Sequence, residues 1–150
     1  MRELTIRSYE PQDITAIVAL ERACAGAPQW GETFWRGRAP GDAPLRGVFV
    51  AEIDERVCGY SVASNAVGVA ELESVAVSES RRRDGVGQAL CERAMLWARQ
   101  CGATSMELEV RESNAAALAL YCRIGFAVQG IRPKYYREPE EDAVLMVAKL

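Results

Sequence analysis

The segment from residue 71 to residue 101 constrains the fold of this chain more than any other. Its beginning, Glu71 to Val77, alternates in polarity, which predicts a strand with Leu72, Ser74 and Ala76 on one face. A basic, glycine-containing turn follows, and apolar residues then recur at helical spacing. This apolar stripe consists of Val86, Leu90, Ala94, Trp97 and Cys101. The pattern therefore predicts a strand, a short turn and a long helix in direct succession.

The turn between this strand and this helix has the composition of an anion-binding site. Residues Arg82 to Gly87 have the pattern RxxGxG. The first turn of a helix has unpaired N–H groups and the positive end of the helix dipole, so it binds phosphates. The glycines allow a pyrophosphate to approach the backbone, and the arginines add charge-assisted contacts. The alternative interpretation is a plain tight turn with solvated arginines.

Several nucleotide-binding patterns do not fit this turn. No Lys-Ser or Lys-Thr pair follows the last glycine, as a Walker motif requires, and the three-glycine dinucleotide fingerprint is also missing. Nucleoside triphosphates and NAD are therefore disfavoured as ligands.

Composition limits the class of protein further. With 150 residues, 49% of them hydrophobic, the chain suits one domain over residues 1–150. No apolar run approaches the ~20 residues of a membrane span, and the N-terminal segment lacks the apolar core of a signal peptide. We therefore expect a cytoplasmic protein without a membrane partner. The net charge of -3 gives no basic footprint for nucleic acid.

The chain contains no histidine, and its 5 cysteines show no CxxC spacing. The cysteines are predicted to be reduced thiols, and the common zinc sites and His-dependent triads are excluded. We expect no metal site. Proton transfer would depend on carboxylates, tyrosine, cysteine or water.

The rest of the chain alternates between strands and helices. A first strand precedes a helix that starts near Pro11, and the segment 26–47 is interpreted as a mobile cover containing a short second helix. The alternative for this segment is a loop pinned to the core by its aromatic side chains. The predicted strands are Leu4–Tyr9, Val48–Ile53, Val57–Ser64, Thr104–Arg111, Phe126–Ile131 and Ala143–Ala148, with a further helix from Asn114 to the glycine C-cap at Gly125.

Taken together, the strand, the RxxGxG turn and the helix resemble the acetyl-CoA signature of the GNAT superfamily of N-acetyltransferases. The segments Leu108–Phe126, LEVRESNAAALALYCRIGF, and Arg132–Met146, RPKYYREPEEDAVLM, are similar to its RimI-like branch of ribosomal-protein-alanine N-acetyltransferases. The resemblance covers roughly residues 70–148. It implies a mixed α/β (α+β) fold with a mostly antiparallel sheet of six or seven strands, about four flanking helices, and a splay at the acetyl-CoA site.

The same resemblance implies acetyl-CoA as co-substrate and assigns residues to it. The bulged strand residues Val75, Ala76 and Val77 would pair with the pantetheine arm and polarise the thioester carbonyl, although periodicity alone makes them ordinary sheet. Asn114 would contact CoA as well as cap its helix. The pyrophosphate would be held by Arg82, Arg83, Asp84, Gly85, Val86, Gly87 and Gln88.

Two residues are expected to transfer protons. By resemblance Glu109 is the general base, with Glu107 and Glu73 in reserve, and Tyr121 protonates the leaving thiolate. The residues alone favour another interpretation, in which Glu109 is a solvated strand carboxylate paired with Arg111 or a neighbour and Tyr121 is a core aromatic. A covalent route through Cys122 is disfavoured, because no histidine exists to activate the thiol.

The expected reaction is acetyl transfer to the α-amine of a protein N-terminus, in particular the alanine of a small-subunit ribosomal protein, by direct attack in a ternary complex. The tail loop at residues 132–142 is acidic and aromatic, which suits a basic peptide, although a solvated hairpin loop is the alternative. Two rival functions remain open: acetylation of a small-molecule amine or a lysine side chain, and a non-catalytic acyl-CoA sensor.

Overall fold

The computed structural model describes residues 3–24, 26–36 and 45–150. Within these ranges the strands are β1 (Leu4–Ser8), β2 (Leu45–Ile53), β3 (Arg56–Ala66), β4 (Val69–Val77), β5 (Ser105–Arg111), β6 (Ala127–Tyr136) and β7 (Glu141–Lys149). The helices are α1 (Ile14–Ala23), α2 (Gly31–Arg36), α3 (Val86–Gln100) and α4 (Ala115–Arg123). The strands form one sheet in the order β1-β2-β3-β4-β5-β7-β6. Neighbouring strands are antiparallel except β4 and β5, which confirms the predicted mixed, mostly antiparallel sheet.

Strand β4 contains a bulge that reverses the faces occupied by its side chains. Leu72 and Ser74 pair with consecutive residues of β3, so Glu73, between them, is the inserted residue. Before the bulge Leu72 packs in the core under α3, whereas after it Ala76 packs in the core under α1. The predicted common face of Leu72, Ser74 and Ala76 is therefore wrong, because one inserted residue shifts the period-two alternation.

Strands β4 and β5 separate halfway along their length. Their parallel ladder pairs Val69–Glu71 with Ser105–Glu107 and ends there. Beyond this point β4 continues along β3 to Val77, and β5 continues along β7 to Arg111. The two strands thus enclose a gap between residues 72–77 and 108–111, and the predicted splay is confirmed.

Helix α3 covers one face of the sheet. The predicted stripe is confirmed at Val86, Leu90 and Ala94, which are buried, while Trp97 and Cys101 are only partly buried. The remaining buried residues of the helix are Cys91, Met95 and Ala98. The apolar face of this helix packs into the larger of the two cores, which also contains residues of β2 to β5 and of β7.

Helices α1 and α2 cover the other face over β2 to β4. Trp35 in α2 is 1% exposed and packs edge-on against Tyr60, with ring centroids 5.8 Å apart. Its indole N–H donates to the buried carboxylate of Glu21 at 2.7 Å. The described part of the segment 26–47 is therefore pinned to the core by aromatic side chains, as the alternative interpretation expects. Residues 37–44 of that segment lie outside the described residues.

The predicted tail loop at residues 132–142 is wrong, because most of it belongs to a β-hairpin. Strand β6 continues to Tyr136, and residues 137–140 alone connect it to β7. Arg132 pairs with Ala143 and Tyr136 with Glu141, so residues 133–135 bulge out opposite one residue of β7. The bulge accommodates a proline and a lysine, which in the sequence indicate a loop. No helix within the described ranges is long and apolar enough to cross a membrane.

Candidate active site

The free edge of β4 faces the gap. The N–H of Ser78 donates to the carbonyl oxygen of Cys58 in β3 at 2.8 Å. Backbone groups alternate between the two sides of a strand, so the N–H groups of Val75 and Val77 point away from β3 and into the gap. The N–H of Ala76 points towards β3. Two of the three residues predicted to contact the pantetheine arm therefore present N–H groups to the gap.

The connection between α1 and α2 closes the gap on one side. The Cys24 thiol lies 3.6 Å from the carbonyl oxygen of Val77. A side chain added at Gly26 would come within 3.7 Å of Asn114 Nδ2. This connection thus runs from the end of β4 to the beginning of α4.

The predicted phosphate turn lies at the beginning of α3. The helix starts directly after Gly85, which adopts a left-handed φ of 80°, and no side chain of the described residues caps it. The exposed charged side chains before the helix are those of Arg82, Arg83 and Asp84. Val86 is buried, and the Gln88 side chain donates to Glu92 at 2.7 Å, so these two residues offer their backbone N–H groups.

Gly87 allows close packing at the same turn. A Cβ at this position would lie 3.3 Å from Leu120 Cδ2 and 3.7 Å from Val77 Cγ2. The end of β4, the beginning of α3 and helix α4 therefore converge here. Three features of this turn fit the pyrophosphate of a CoA molecule: the uncapped N–H groups of the helix, the left-handed conformation of Gly85 and the two exposed arginines.

Glu109 lies on β5 with its side chain 18% exposed. Its Oε1 is 3.2 Å from Nε of Arg132, whereas its Oε2 is buried and accepts no hydrogen bond from the described residues. Hydrogen bonding to Glu109, followed by burial, raises the pKa of Tyr135 to about 12. The carboxylate is therefore paired, but with β6 rather than with Arg111, which pairs with Glu141 at 3.2 Å.

Three more carboxylates surround Glu109 on this face. Glu71 lies opposite Glu107 in the β4–β5 register, and burial raises its pKa, followed by the charges of Glu73, Glu109 and Glu107. Glu73, the bulged residue, accepts two hydrogen bonds from Arg46 at 2.7 and 3.0 Å. The face beside the gap is therefore acidic and suits a cationic ligand, and of the two reserve bases Glu73 is already held by an arginine.

Tyr121 lies on α4, on the side of the sheet covered by α3. Its ring packs edge-on against Phe126 at 5.8 Å, and Asn114 caps the same helix by accepting the N–H of Ala117 at 3.2 Å. Burial raises the pKa of Tyr121 well above its usual range, with smaller contributions from Cys91 and Tyr136. Its phenol therefore holds its proton at neutral pH.

Glu109 and Tyr121 occupy opposite faces of the sheet. Met106, Leu108 and Val110 pack into the core under α3, so Glu109, which alternates with them on β5, points to the other face. Tyr121 packs against that α3 core. The arrangement can accept a proton on one face of the sheet and supply one on the other, across the gap.

The contact of β6 with Glu109 is not apparent from the sequence. Arg132 pairs with Glu109, and Glu109 also raises the pKa of Tyr135, but these residues lie at a bulge that breaks strand alternation and resembles a loop in the sequence. No group of three potential ligands among histidine, cysteine, aspartate and glutamate side chains in the described ranges is placed to hold a metal ion.

The site combines a gap between two parallel strands, an uncapped helix beside the gap, and a carboxylate and a phenol on opposite faces of the sheet. These are features of an acyltransferase that takes its acyl group from CoA. The chain belongs to the acetyltransferase (GNAT) family, whose sequence model matches residues 14–126. It is an acetyl-CoA-dependent N-acetyltransferase.

Three comparisons show which members of this family the chain is similar to. The [ribosomal protein bS18]-alanine N-acetyltransferase of Escherichia coli (strain K12) is 32% identical over 144 residues, which covers 95% of each chain. The N-alpha-acetyltransferase of Sulfurisphaera tokodaii is 36% identical over 115 residues, or 68% of each chain. The crystal structure of the ribosomal-protein-S18-alanine N-acetyltransferase from Escherichia coli superposes with a TM-score of 0.84 at 31% identity, covering 98% of this chain and 94% of the other.

Proposed function

We propose that this enzyme acetylates the α-amine of a protein N-terminus, in particular the N-terminal alanine of a small-subunit ribosomal protein, and that it acts in the cytoplasm, where ribosomes are. Similarity to the alanine N-acetyltransferase that acts on ribosomal protein bS18 supports this acceptor. The observation that carries the proposal is the gap between β4 and β5, with Glu109 on one face of the sheet and Tyr121 on the other.

Acetyl-CoA, when bound, supplies the acetyl thioester. The turn from Arg82 to Gln88 would hold its pyrophosphate, and Val75–Val77 and Asn114 would hold its pantetheine arm. The N–H groups of Val75 and Val77 would stabilise negative charge on the thioester oxygen during transfer, because preformed donors act strongly on developing charge.

Glu109 would accept the proton of the acceptor amine, directly or through one water. An α-amine has a pKa of about 8 and needs only modest help to lose its proton, whereas a lysine amine at about 10.4 needs more. The acidic face around Glu109 supports a cationic N-terminus as the approaching group. The lower pKa of an α-amine is the reason for preferring it over a lysine side chain as the acceptor.

Tyr121 would donate its proton to the departing sulfur. The phenol is protonated at neutral pH, so its proton is available to the thiolate that forms when the C–S bond breaks. The free amine attacks the acetyl group directly in a ternary complex, and no side chain is acetylated on the way.

The test is CoA release from acetyl-CoA with a panel of short peptides, one of which starts Ala-Arg. The Ala-Arg peptide should turn over in the wild type, and Glu109→Gln and Tyr121→Phe should each lower kcat by about tenfold or more, as expected for lost acid–base catalysis. If no peptide reacts while small amines do, the acceptor is a small molecule. Tight CoA binding without turnover on any amine would indicate an acyl-CoA sensor.

A further inference from the structure

Arg111, the last residue of β5, reaches into the turn of the β6–β7 hairpin. Its Nη1 donates to the carbonyl oxygen of Pro139 at 3.0 Å, and its Nη2 to that of Arg137 at 3.2 Å. Nη1 also lies 3.2 Å from Glu141 Oε1. The guanidinium covers the Tyr136 ring, with Cζ 4.5 Å from the ring centroid. One side chain therefore holds the turn and the strand on each side of it.

Further hydrogen bonds attach the turn end of the hairpin to the connection between β5 and α4. The second carboxylate oxygen of Glu141 accepts the N–H of Ser113, and the carbonyl oxygen of Asp142 accepts the N–H of Glu112 at 3.2 Å. The hydrogen bonding from Ser113 lowers the pKa of Glu141, so this carboxylate stays ionised opposite Arg111. These bonds anchor the turn end of the hairpin, in addition to the ladder that pairs β7 with β5 along its length.

The anchored hairpin carries the two side chains that meet Glu109. Arg132 directly precedes the bulge at residues 133–135 and Tyr135 is its last residue, while Lys134 within it adopts a φ of 54°. The N–H of Lys134 donates to Asp142 Oδ1 at 2.9 Å. The positions of Arg132 and Tyr135 therefore depend on where the hairpin is held relative to β5.

We propose that Arg111 is a positioning residue for the acceptor side of the reaction, because it fixes the β6–β7 hairpin so that Arg132 and Tyr135 sit against the Glu109 carboxylate. This inference rests on the proposed role of Glu109 as base. Arginine is needed at this position because its planar fork can bond two carbonyls while its face covers a ring, which a lysine ammonium cannot do.

The test compares Arg111→Lys with Arg7→Lys. Arg7 is a matched control, since it is similarly exposed (29% against 24%) and bonds the carboxylates of Asp13 and Glu52 at the opposite edge of the sheet. In Arg111→Lys we expect kcat/KM for the peptide to fall roughly tenfold, mainly through the KM for peptide, as misplaced contacts predict. The KM for acetyl-CoA should stay within about twofold. Arg7→Lys should leave both KM values unchanged, even where it lowers the melting temperature.

A second readout does not depend on activity. In protein carrying ¹³C-labelled tyrosine, the Tyr135 resonance, assigned with Tyr135→Phe, should titrate near pH 12 in the wild type, since its pKa is about 12. In Arg111→Lys it should titrate at a lower pH than in the wild type, because the phenol leaves Glu109 while its burial remains. Arg7→Lys should behave as the wild type.

Three outcomes would overturn the inference. These are an unchanged Tyr135 titration in Arg111→Lys, an equal rise of both KM values, and the same KM changes in Arg7→Lys. Should Arg111→Lys fail to fold, Glu141→Gln, which removes one anchor, should shift Tyr135 in the same direction by less. A wild type that acetylates no peptide would contradict the proposed function, while the titration would still decide the role of Arg111.

Discussion

Helices α3 and α4 pack against the same face of the sheet, yet they differ in how much of each is buried. α3 buries Val86, Leu90, Cys91, Ala94, Met95 and Ala98, whereas every residue of α4 stays at least partly exposed. Both helices begin beside the gap, α3 at Gly85 without a side-chain cap and α4 at Asn114 with one. The half of the molecule from β1 to β4 with α1 to α3 therefore supplies most of the core. The half from β5 to β7 with α4 supplies Glu109, Tyr121 and the hairpin.

This difference predicts whether a substitution should change stability or kinetics. Residues of the packed half should change stability with little selectivity for one substrate, because their contacts are apolar and shared. The partly exposed residues of α4 and of the site in the other half should change kinetics with little effect on stability. Three pairs of variants, one from each half, sharpen or break that division.

The largest difference is expected between Leu90→Ala in α3 and Leu118→Ala in α4. Leu90 is fully buried, so its truncation should lower the free energy of unfolding by about 2–5 kcal/mol through lost burial and a cavity. Leu118 is partly exposed, and its truncation should cost less than about 1.5 kcal/mol. Urea denaturation measures both. Equal losses would show that α4 is as much a part of the core as α3.

The next pair compares two carboxylates, Glu21 and Glu109. Glu21 is buried and accepts N–H groups from Trp30, Gly31 and Trp35, so Glu21→Gln should lower the free energy of unfolding by about 1–3 kcal/mol, since an amide NH₂ would face those donors. Glu109→Gln loses a partly exposed ion pair and should cost less than about 1 kcal/mol while it abolishes most activity.

Thermal denaturation and CoA release, measured on the same preparations, check both halves of this prediction. A Glu109→Gln protein that unfolds as readily as Glu21→Gln would assign Glu109 a structural role. An unchanged melting temperature in Glu21→Gln would mean that its three hydrogen bonds contribute nothing net.

The sequence predicted helix α3 and the turn before it well, because both follow simple local patterns. The helical stripe through Val86, Leu90 and Ala94 is buried as expected, and the RxxGxG turn begins α3 where the pattern places it. These features depend on local spacing and on glycine conformation, which a sequence displays directly.

The site was predicted only in part, because inserted residues cancel periodicity. The bulge at Glu73 reverses the faces of β4, and the bulge at residues 133–135 hides a strand in an apparent loop. Resemblance supplied the splay of β4 and β5. It did not supply the contact of Glu109 with Arg132, which depends on the register of β6 with β7. Residues that pair across strands are far apart in the sequence, so a single sequence gives little information about which of them pair.

The smallest expected effect comes from relieving backbone strain in each half. Glu55, in the turn between β2 and β3, has a φ of 61°, and Lys134, in the β6 bulge, has a φ of 54°. Glycine adopts such positive φ values without steric cost. Glu55→Gly and Lys134→Gly should each raise the free energy of unfolding by up to about 1 kcal/mol.

Their kinetics should nevertheless differ. Glu55→Gly lies away from the gap and should leave turnover unchanged. Lys134→Gly gives the hairpin more conformational freedom beside Glu109, so kcat/KM for peptide should fall roughly two- to fivefold, because acceptor geometry is less well fixed. Melting temperatures and peptide kinetics of the two variants decide the matter. If Lys134→Gly is as active as Glu55→Gly, the edge strand merely tolerates the bulge, and the bulge does not contribute to the acceptor site.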